Sequence, residues 1–193
     1  DAFVDYYMKG VRVNELFQIK DDESKNFDTI DTYENRFCKP YDFENYRCIV
    51  SQGPMGSGKT HQIKECLKNK QKFNRVIVIS PRQTFSKEKH KELSHICPDI
   101  IHYQDDCLME IHDISQINKF VVQVESLARF PDTECNTSNF KYDLVILDEI
   151  ESILYQLSSN TNTDAIKAYN TFINICQQSR HIIMSDAFIS RRT

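Results

Sequence analysis

Eight consecutive residues, Gly53-Pro54-Met55-Gly56-Ser57-Gly58-Lys59-Thr60, carry the spacing G-x-x-x-x-G-K-[ST]. Those residue types at that spacing suit one chemistry, the grip on a run of phosphates. Glycines let successive backbone N–H groups converge on phosphate oxygens, and a helix that starts near Lys59 turns its positive end toward them. Lys59 is then within reach of the β- and γ-phosphates, and the Thr60 hydroxyl is a ligand for Mg²⁺. The chain holds only four glycines, and three of them lie in this loop. A glycine-poor chain has placed them where backbone must approach something closely. A second acidic pair, Asp148-Glu149, ends an apolar run much further along. A carboxylate at the C-terminal end of a buried strand sits at the sheet edge where ligands bind. Asp148 is placed there to hold Mg²⁺, usually through water, and Glu149 to orient or deprotonate an attacking water. The same pair also reads as an acidic helix start, favoured by the helix dipole, and both readings can hold together.

The elements that must position these groups follow from periodicity. Cys48–Val50 is an apolar strand leading into the loop, and a helix over about 59–69 carries Ile63, Cys66 and Leu67 on one face. Arg75–Ser80 lacks polar alternation, as expected of a parallel strand covered on both sides. A helix over 84–95 with Phe85, Leu93 and Ile96 inward, a short strand within 99–103 and a strand over 120–124 follow. Residues 107–118 give no clear pattern, and 131–141 read as a loop. Tyr142–Leu147 is the strand that ends in the acidic pair. Ile150, Ile153, Leu154 and Leu157 then start a helix directly. After a turn at 158–163, a helix over 164–178 places Ala165, Ala168, Tyr169, Phe172 and Cys176 on one face, and 181–185 is the last strand. Strands alternating with helices predict an α/β fold, a three-layer P-loop NTPase with a mostly parallel central sheet.

Composition narrows the class. The chain has 193 residues, 40% hydrophobic and 27% charged, ordinary values for a globular domain. It contains no apolar run long enough to span a bilayer and no signal peptide, so no membrane partner is expected. Seven cysteines without a C-x-x-C pair argue against a disulfide framework and against a structural metal, and for reduced thiols inside a cell. The pairs His95/Cys97 and Cys107/His112 fall short of a metal cluster. Residues 1–47 hold eleven acids and seven bases and account for the whole net charge of −4. Residues 64–92 hold nine bases against three acids, a local +6 that reads either as a contact for nucleic-acid phosphates or as a solvated lysine face. Val4, Tyr7, Met8 and Val11 have helical spacing, 20–35 is polar and acidic, and Tyr33, Phe37, Tyr41, Phe43 and Tyr46 form an aromatic cluster. The expected division is an acidic arm over 1–47, packed on the domain edge, and a nucleotide-binding domain over 48–193. A chain that begins at Asp1 and stops at Thr193 is read as a fragment of a longer protein.

Five segments in order carry a resemblance: Gly53–Thr60, Ser80-Pro81-Arg82-Gln83-Thr84-Phe85, Val122-Gln123-Val124-Glu125-Ser126-Leu127, Asp148-Glu149-Ile150-Glu151-Ser152 and Met184-Ser185-Asp186-Ala187. Together they resemble the herpesvirus-type replication origin-binding protein family, a branch of the superfamily-two helicases, over about 48–190. The resemblance implies the first of two RecA-like domains, with ATP and Mg²⁺ as cofactors and single-stranded DNA as partner (RNA not excluded). It implies that a second RecA-like domain of the same protein supplies the arginines for the γ-phosphate. It implies strand contacts from Ser80, Arg82, Gln83 and Thr84 and from Gln123, Glu125 and Ser126. Ser185 and Asp186 would couple hydrolysis to domain movement, although Ser-Asp-Ala departs from the common Ser-Ala-Thr. The place of action implied is intracellular, in a nucleus, a viral replication site or the cytoplasm. Two other readings compete. The loop is similar to that of thymidine kinases, but those begin near it and end in a cysteine pair. A non-catalytic nucleotide- or nucleic-acid-binding module is the other.

Overall fold

Val76-Ile77-Val78-Ile79 and Leu144-Val145-Ile146-Leu147 offer no polar side chain to turn toward water, so a fold that uses them as strands must cover both faces. The computed structural model of the chain does so; it describes residues 37–68, 73–105, 117–130, 141–158 and 164–189. In chain order the elements are β1 (Cys48–Gln52), α1 (Lys59–Lys68), β2 (Val76–Ser80), α2 (Gln83–Ser94), β3 (Ile101–His102), β4 (Lys119–Gln123), a 3-10 helix (Val124–Arg129), β5 (Leu144–Asp148), α3 (Ile150–Leu157), α4 (Ala165–Gln178) and β6 (His181–Asp186). The six strands among the described residues form one sheet in the order β1-β6-β5-β2-β4-β3, and every pairing among them is parallel.

The two faces follow from the period of two along each strand. Ile77, Ile79, Val145 and Leu147 pack with Leu127, Ile150, Ile153, Phe172 and Ile175, under the 3-10 helix, α3 and α4. Val76, Val78, Leu144 and Ile146 pack with Ile63, Leu67 and Leu93, under α1 and α2. The result is the three-layer α/β arrangement expected. Because all strands run the same way, Gln52, Ser80, Gln123, Asp148 and Asp186 end on one edge of the sheet, and β6 sets Asp186 beside Gln52 and Ser185 beside Asp148.

Several local expectations are corrected. On α4 the buried residues are Ala168, Thr171, Phe172 and Ile175, and Tyr169 is 50% exposed. At 3.6 residues per turn Tyr169 lies roughly 120° around the helix from Ile175, so the face that buries Ile175 turns Tyr169 out. On α2, Leu93 is buried, Phe85 and Ile96 are half-buried, and Ser86 occupies the inward position one turn in. Strand β4 begins at Lys119, whose ammonium meets Asp99 at 2.8 Å, and stops at Gln123 because Val124 already belongs to the 3-10 helix. Within the expected arm, residues 37–47 are built into the domain. Phe43 is buried with Phe73 and His181, ring centroids 5.3 and 5.2 Å away. The Arg47 guanidinium donates to the carbonyl oxygens of Cys176 (2.7 Å), Gln177 (3.1 Å) and Ser179 (3.0 Å) at the end of α4, where the helix dipole is negative. The helical spacing at Val4–Val11, the acidic stretch 20–35, Tyr33, Cys107, His112 and most of the 131–141 loop lie outside the described residues. Among the described residues no helix is long and apolar enough to cross a membrane.

One buried histidine ties β3 to α2. The Gln104 backbone N–H donates to His102 Nδ1 at 3.3 Å, so the ring proton sits on Nε2, which lies 3.0 Å from Ser86 Oγ; that hydroxyl in turn donates to Gln83 O at 2.8 Å. Burial holds the His102 pKa below the ordinary 6.5, with neighbouring His90 and Lys87 acting the same way and Asp105 opposing. The unfolded chain therefore takes up this proton first. The contact's stability is complete above the ordinary value and is lost as pH falls through the folded one. Urea unfolding between about pH 7.5 and pH 5 should show stability falling with pH, and His102→Asn should flatten that fall. An unchanged slope in the variant would remove His102 as its source.

Candidate functional site

The loop after β1 has the backbone its glycines predict. Gly56 and Gly58 sit at φ 78° and 85°, where a side chain is strained, and a Cβ on Gly53 would lie 3.0 Å from Ser57 Oγ. Pro54 is exposed and Met55, at the tip, is 97% exposed, while Ser57 is buried beneath. The Lys59 ammonium folds back onto its own loop, donating to Gly53 O, to Pro54 O at 3.1 Å and to Ser57 Oγ at 3.3 Å. Burial lowers its pKa, while Asp148 and Asp186 pull the other way. The segment before β1 braces the loop, a role the sequence reading did not give it. Cys38 N donates to Ser57 O at 2.8 Å, Gln62 Nε2 donates to Cys38 O at 3.1 Å, and a Cβ on Gly58 would meet the Phe37 ring at 3.4 Å. The aromatic cluster at 37–46 was the available signal.

Asp148 ends β5, 7% exposed. Its two oxygens have separate partners. Ser185 Oγ donates to Oδ1 at 2.5 Å, and the Lys89 ammonium sits 2.7 Å from Oδ2. The same ammonium lies 3.3 Å from Thr60 Oγ1 and 3.4 Å from Glu92 Oε2. Burial alone would lower the Lys89 pKa; the Asp148 and Glu92 carboxylates outweigh it and hold the group above the ordinary lysine value. Thr60 and Asp148, predicted from sequence as partners, therefore converge on one cation. Two hard oxygens so placed could serve as donors to a hard divalent ion such as Mg²⁺.

Glu149 takes a left-handed backbone, φ 60° and ψ 56°, the one non-glycine residue with positive φ among those described. Its N–H donates to Ser185 O at 2.8 Å, which fixes the turn. It stands at the N-cap of α3, as the helix-start reading expects, but its side chain makes no cap bond to the helix. Burial raises its pKa, with Asp148 and Asp186 adding to the rise and Lys89 and Arg82 opposing. The cap comes instead from β6. Asp186 Oδ2 accepts from Glu151 N at 2.9 Å, Oδ1 accepts from Ala187 N at 2.6 Å, and Asp186 O accepts from Gly53 N at 3.1 Å. Ser185 and Asp186 thus join the loop, the Asp-Glu turn and α3.

The residues expected to meet a nucleic-acid strand divide. Ser80 is a correction: it is fully buried, its hydroxyl bonded to Val122 O at 3.3 Å, and it supports the edge without reaching past it. Arg82, Gln83 and Thr84 are exposed at the start of α2, with Gln83 Nε2 bonded to Gln104 at 2.9 Å. Gln123 accepts from Tyr103 OH at 2.8 Å and donates to Glu125 at 2.8 Å; Glu125 also accepts from Gln156, and Ser126 is half-buried beside them. Within the basic stretch 64–92, three of the described lysines are ion-paired. Lys64 meets Glu92 at 2.6 Å, Lys68 pairs with Glu65, and Lys89 is turned inward to Asp148, while Lys87 and Lys91 are exposed. Lys89 was the functional neighbour the sequence hid, since in a run of lysines nothing marks one as buried.

A family model described as origin of replication binding protein matches residues 30–193, starting upstream of the first motif at Gly53. The chain is 34% identical over 152 residues to the replication origin-binding protein of human herpesvirus 6B, covering 77% of this chain and 18% of that protein. It is 28% identical over 204 residues to an African swine fever virus protein provisionally named as a helicase/primase complex protein, covering all of this chain and 17% of the relative. The chain thus spans less than a fifth of these relatives. The crystal structure of a DEAD box protein from Methanococcus jannaschii superposes with a TM-score of 0.50 at 19% identity, over 78% of this chain and 42% of the other. The fold is the RecA-like α/β fold.

The Asp186 cap carries a stability expectation. Asp186→Ala should lower unfolding free energy by about 1–2 kcal/mol, and Asp186→Asn by less, since an amide oxygen still accepts from Glu151 N. Urea denaturation measures both. Equal stability for wild type and Asp186→Ala would show that the α3 terminus gains nothing from this carboxylate.

Proposed function

Because the chain belongs to the origin of replication binding protein family, we propose that it is the first RecA-like domain of a replication helicase, binding Mg-ATP between β1, β5 and β6. The observation that supports this most is the shared cation contact of Thr60 Oγ1 and Asp148 Oδ2, 3.3 and 2.7 Å from one ammonium, beside a loop whose glycines leave its backbone open. The names of the relatives and the DEAD-box-like fold agree with it.

Each residue has a part in this reading. The backbone of Gly53–Thr60, including Pro54, Met55, Gly56, Ser57 and Gly58, holds the phosphates. Lys59, whose ammonium rests on Gly53 O and Pro54 O, would supply the cation for the β- and γ-phosphates. Thr60 and Asp148 would hold Mg²⁺, with Asp148 kept in orientation by Ser185. When bound, the metal and nucleotide supply a transferable phosphoryl group with part of its charge neutralised. Glu149, held in its strained turn with a raised pKa, accepts the proton of the attacking water. Single-stranded DNA would run along the edge formed by Arg82, Gln83, Thr84, Gln123 and Ser126. Glu125 would stay on Gln123 and Gln156, which keeps its charge from a phosphodiester. Asp186, linked to Gly53 N and Glu151 N, would pass changes at the loop to α3. A second RecA-like domain would bring the arginine that the γ-phosphate needs; absence of such a group can cost on the order of 10³–10⁵ in rate.

Two variants of the full-length protein separate binding from turnover. Lys59→Ala should weaken affinity for a fluorescent ATP analogue by at least about tenfold, through loss of a charge-assisted contact. Glu149→Gln should bind as wild type and lose about 10²-fold or more in hydrolysis. Unchanged affinity in folded Lys59→Ala, or wild-type turnover in Glu149→Gln, would overturn the assignment of that residue.

A further inference from the structure

Lys89 marks the gap between Thr60 and Asp148 but has no role of its own in the reading above, yet it is the best-buried cation at the site. Its side chain is 12% exposed, and the ammonium is shared by Asp148, Thr60 and Glu92 and lies 5.6 Å from the Phe85 ring one turn earlier on α2. Glu92 is itself held by Lys64 of α1, 2.6 Å from its other oxygen. We propose that Lys89 is a resident counter-cation at the metal position: it keeps Thr60 and Asp148 facing each other, and a divalent ion enters only by exchange, with the ammonium released from Asp148 toward Glu92. The inference rests on the metal-nucleotide reading of the site and deepens it.

The argument is steric and electrostatic. A Mg²⁺ bound by Thr60 takes its ligands at about 2.0–2.1 Å. The Lys89 ammonium now lies 3.3 Å from that hydroxyl and 2.7 Å from the carboxylate oxygen across from it, inside the same gap. Two cations on these oxygens in a poorly solvated site repel strongly. Glu92 is the nearest alternative, already 3.4 Å away and on the same helix, so the ammonium can transfer without leaving α2. Exchange therefore changes the load on α2, whose first residues, Gln83 and Thr84, stand at the edge assigned to the nucleic-acid strand. Metal entry and strand contact would then share one helix.

Manganese is the probe. Binding of Mn²⁺ alone to the full-length protein, read from the free-ion electron paramagnetic resonance signal, should be tighter in Lys89→Met than in wild type by about tenfold or more, as removal of a competing cation requires. Lys89→Arg should stay as weak as wild type or weaker, and Asp148→Asn should abolish binding in every background. In wild type, Mn²⁺ should also raise acylation of Lys89 by an N-hydroxysuccinimide ester, read by mass spectrometry, because the released amine becomes accessible. Binding that depends on Asp148 but is equal or weaker in Lys89→Met, or a Lys89 reactivity that ignores the metal, would overturn the exchange and leave the nucleotide reading standing. Absence of any Asp148-dependent Mn²⁺ binding would overturn both.

Discussion

A carboxylate left 7% exposed at the end of a buried strand has to be satisfied from all sides, and Asp148 is. The Ser185 hydroxyl takes one oxygen and the Lys89 ammonium the other. Each partner comes from a different part of the chain, so the bond pair pins β6 and α2 to the tip of β5. The strand order makes this possible. With β6 between β1 and β5, one strand end touches both the phosphate loop, through Gly53 N on Asp186 O, and the acidic turn, through Glu149 N on Ser185 O. The apolar sheet below has little freedom to change that spacing, since its side chains are close-packed on both faces.

Strain is concentrated at the same place. Glu149 holds a left-handed conformation that costs a non-glycine residue roughly 1–2 kcal/mol. Continuing the strand into α3 without it would turn the side chain and the helix elsewhere. The neighbouring bonds from Ser185 O and Asp186 Oδ2 to the turn and to the start of α3 offset that cost and hold the glutamate at the sheet edge. A strained acid beside a buried one, both facing a glycine loop, is the arrangement expected where backbone strain serves chemistry.

Much of this was legible before any coordinates. The loop motif is local, and its chemistry follows from contiguous residues. Val76–Ser80 and Leu144–Asp148 announced buried parallel strands because they contain no alternation. Four features were not legible, each because it depends on contacts between distant segments. Lys89 looks like any member of a basic stretch until α2 is docked over Asp148. Ser80 belongs to a motif that implies strand contact, but its hydroxyl turns to Val122, and motif membership says nothing about side-chain direction. Tyr169 looked like part of the core face of α4, yet it is exposed and Thr171 and Ile175 are buried, while Cys176 does pack against the core. The segment up to 47 was read as an arm packed on the domain edge, but the particular contacts of Phe43 and Arg47 depend on distant segments.

The central claim is that Thr60 and Asp148 are two sides of one cation position facing the phosphate loop. Diffraction from crystals of this protein grown with Mn²⁺ and a non-hydrolysable ATP analogue, recorded for manganese anomalous signal, tests it most directly. The account predicts one strong peak between the two residues. It should lie about 2.1 Å from Thr60 Oγ1 and within about 4 Å of Asp148, directly or through one water, with the analogue's phosphates on the 53–60 backbone and Lys89 moved off Asp148. An anomalous peak away from both residues, or phosphates bound outside that loop, would contradict it.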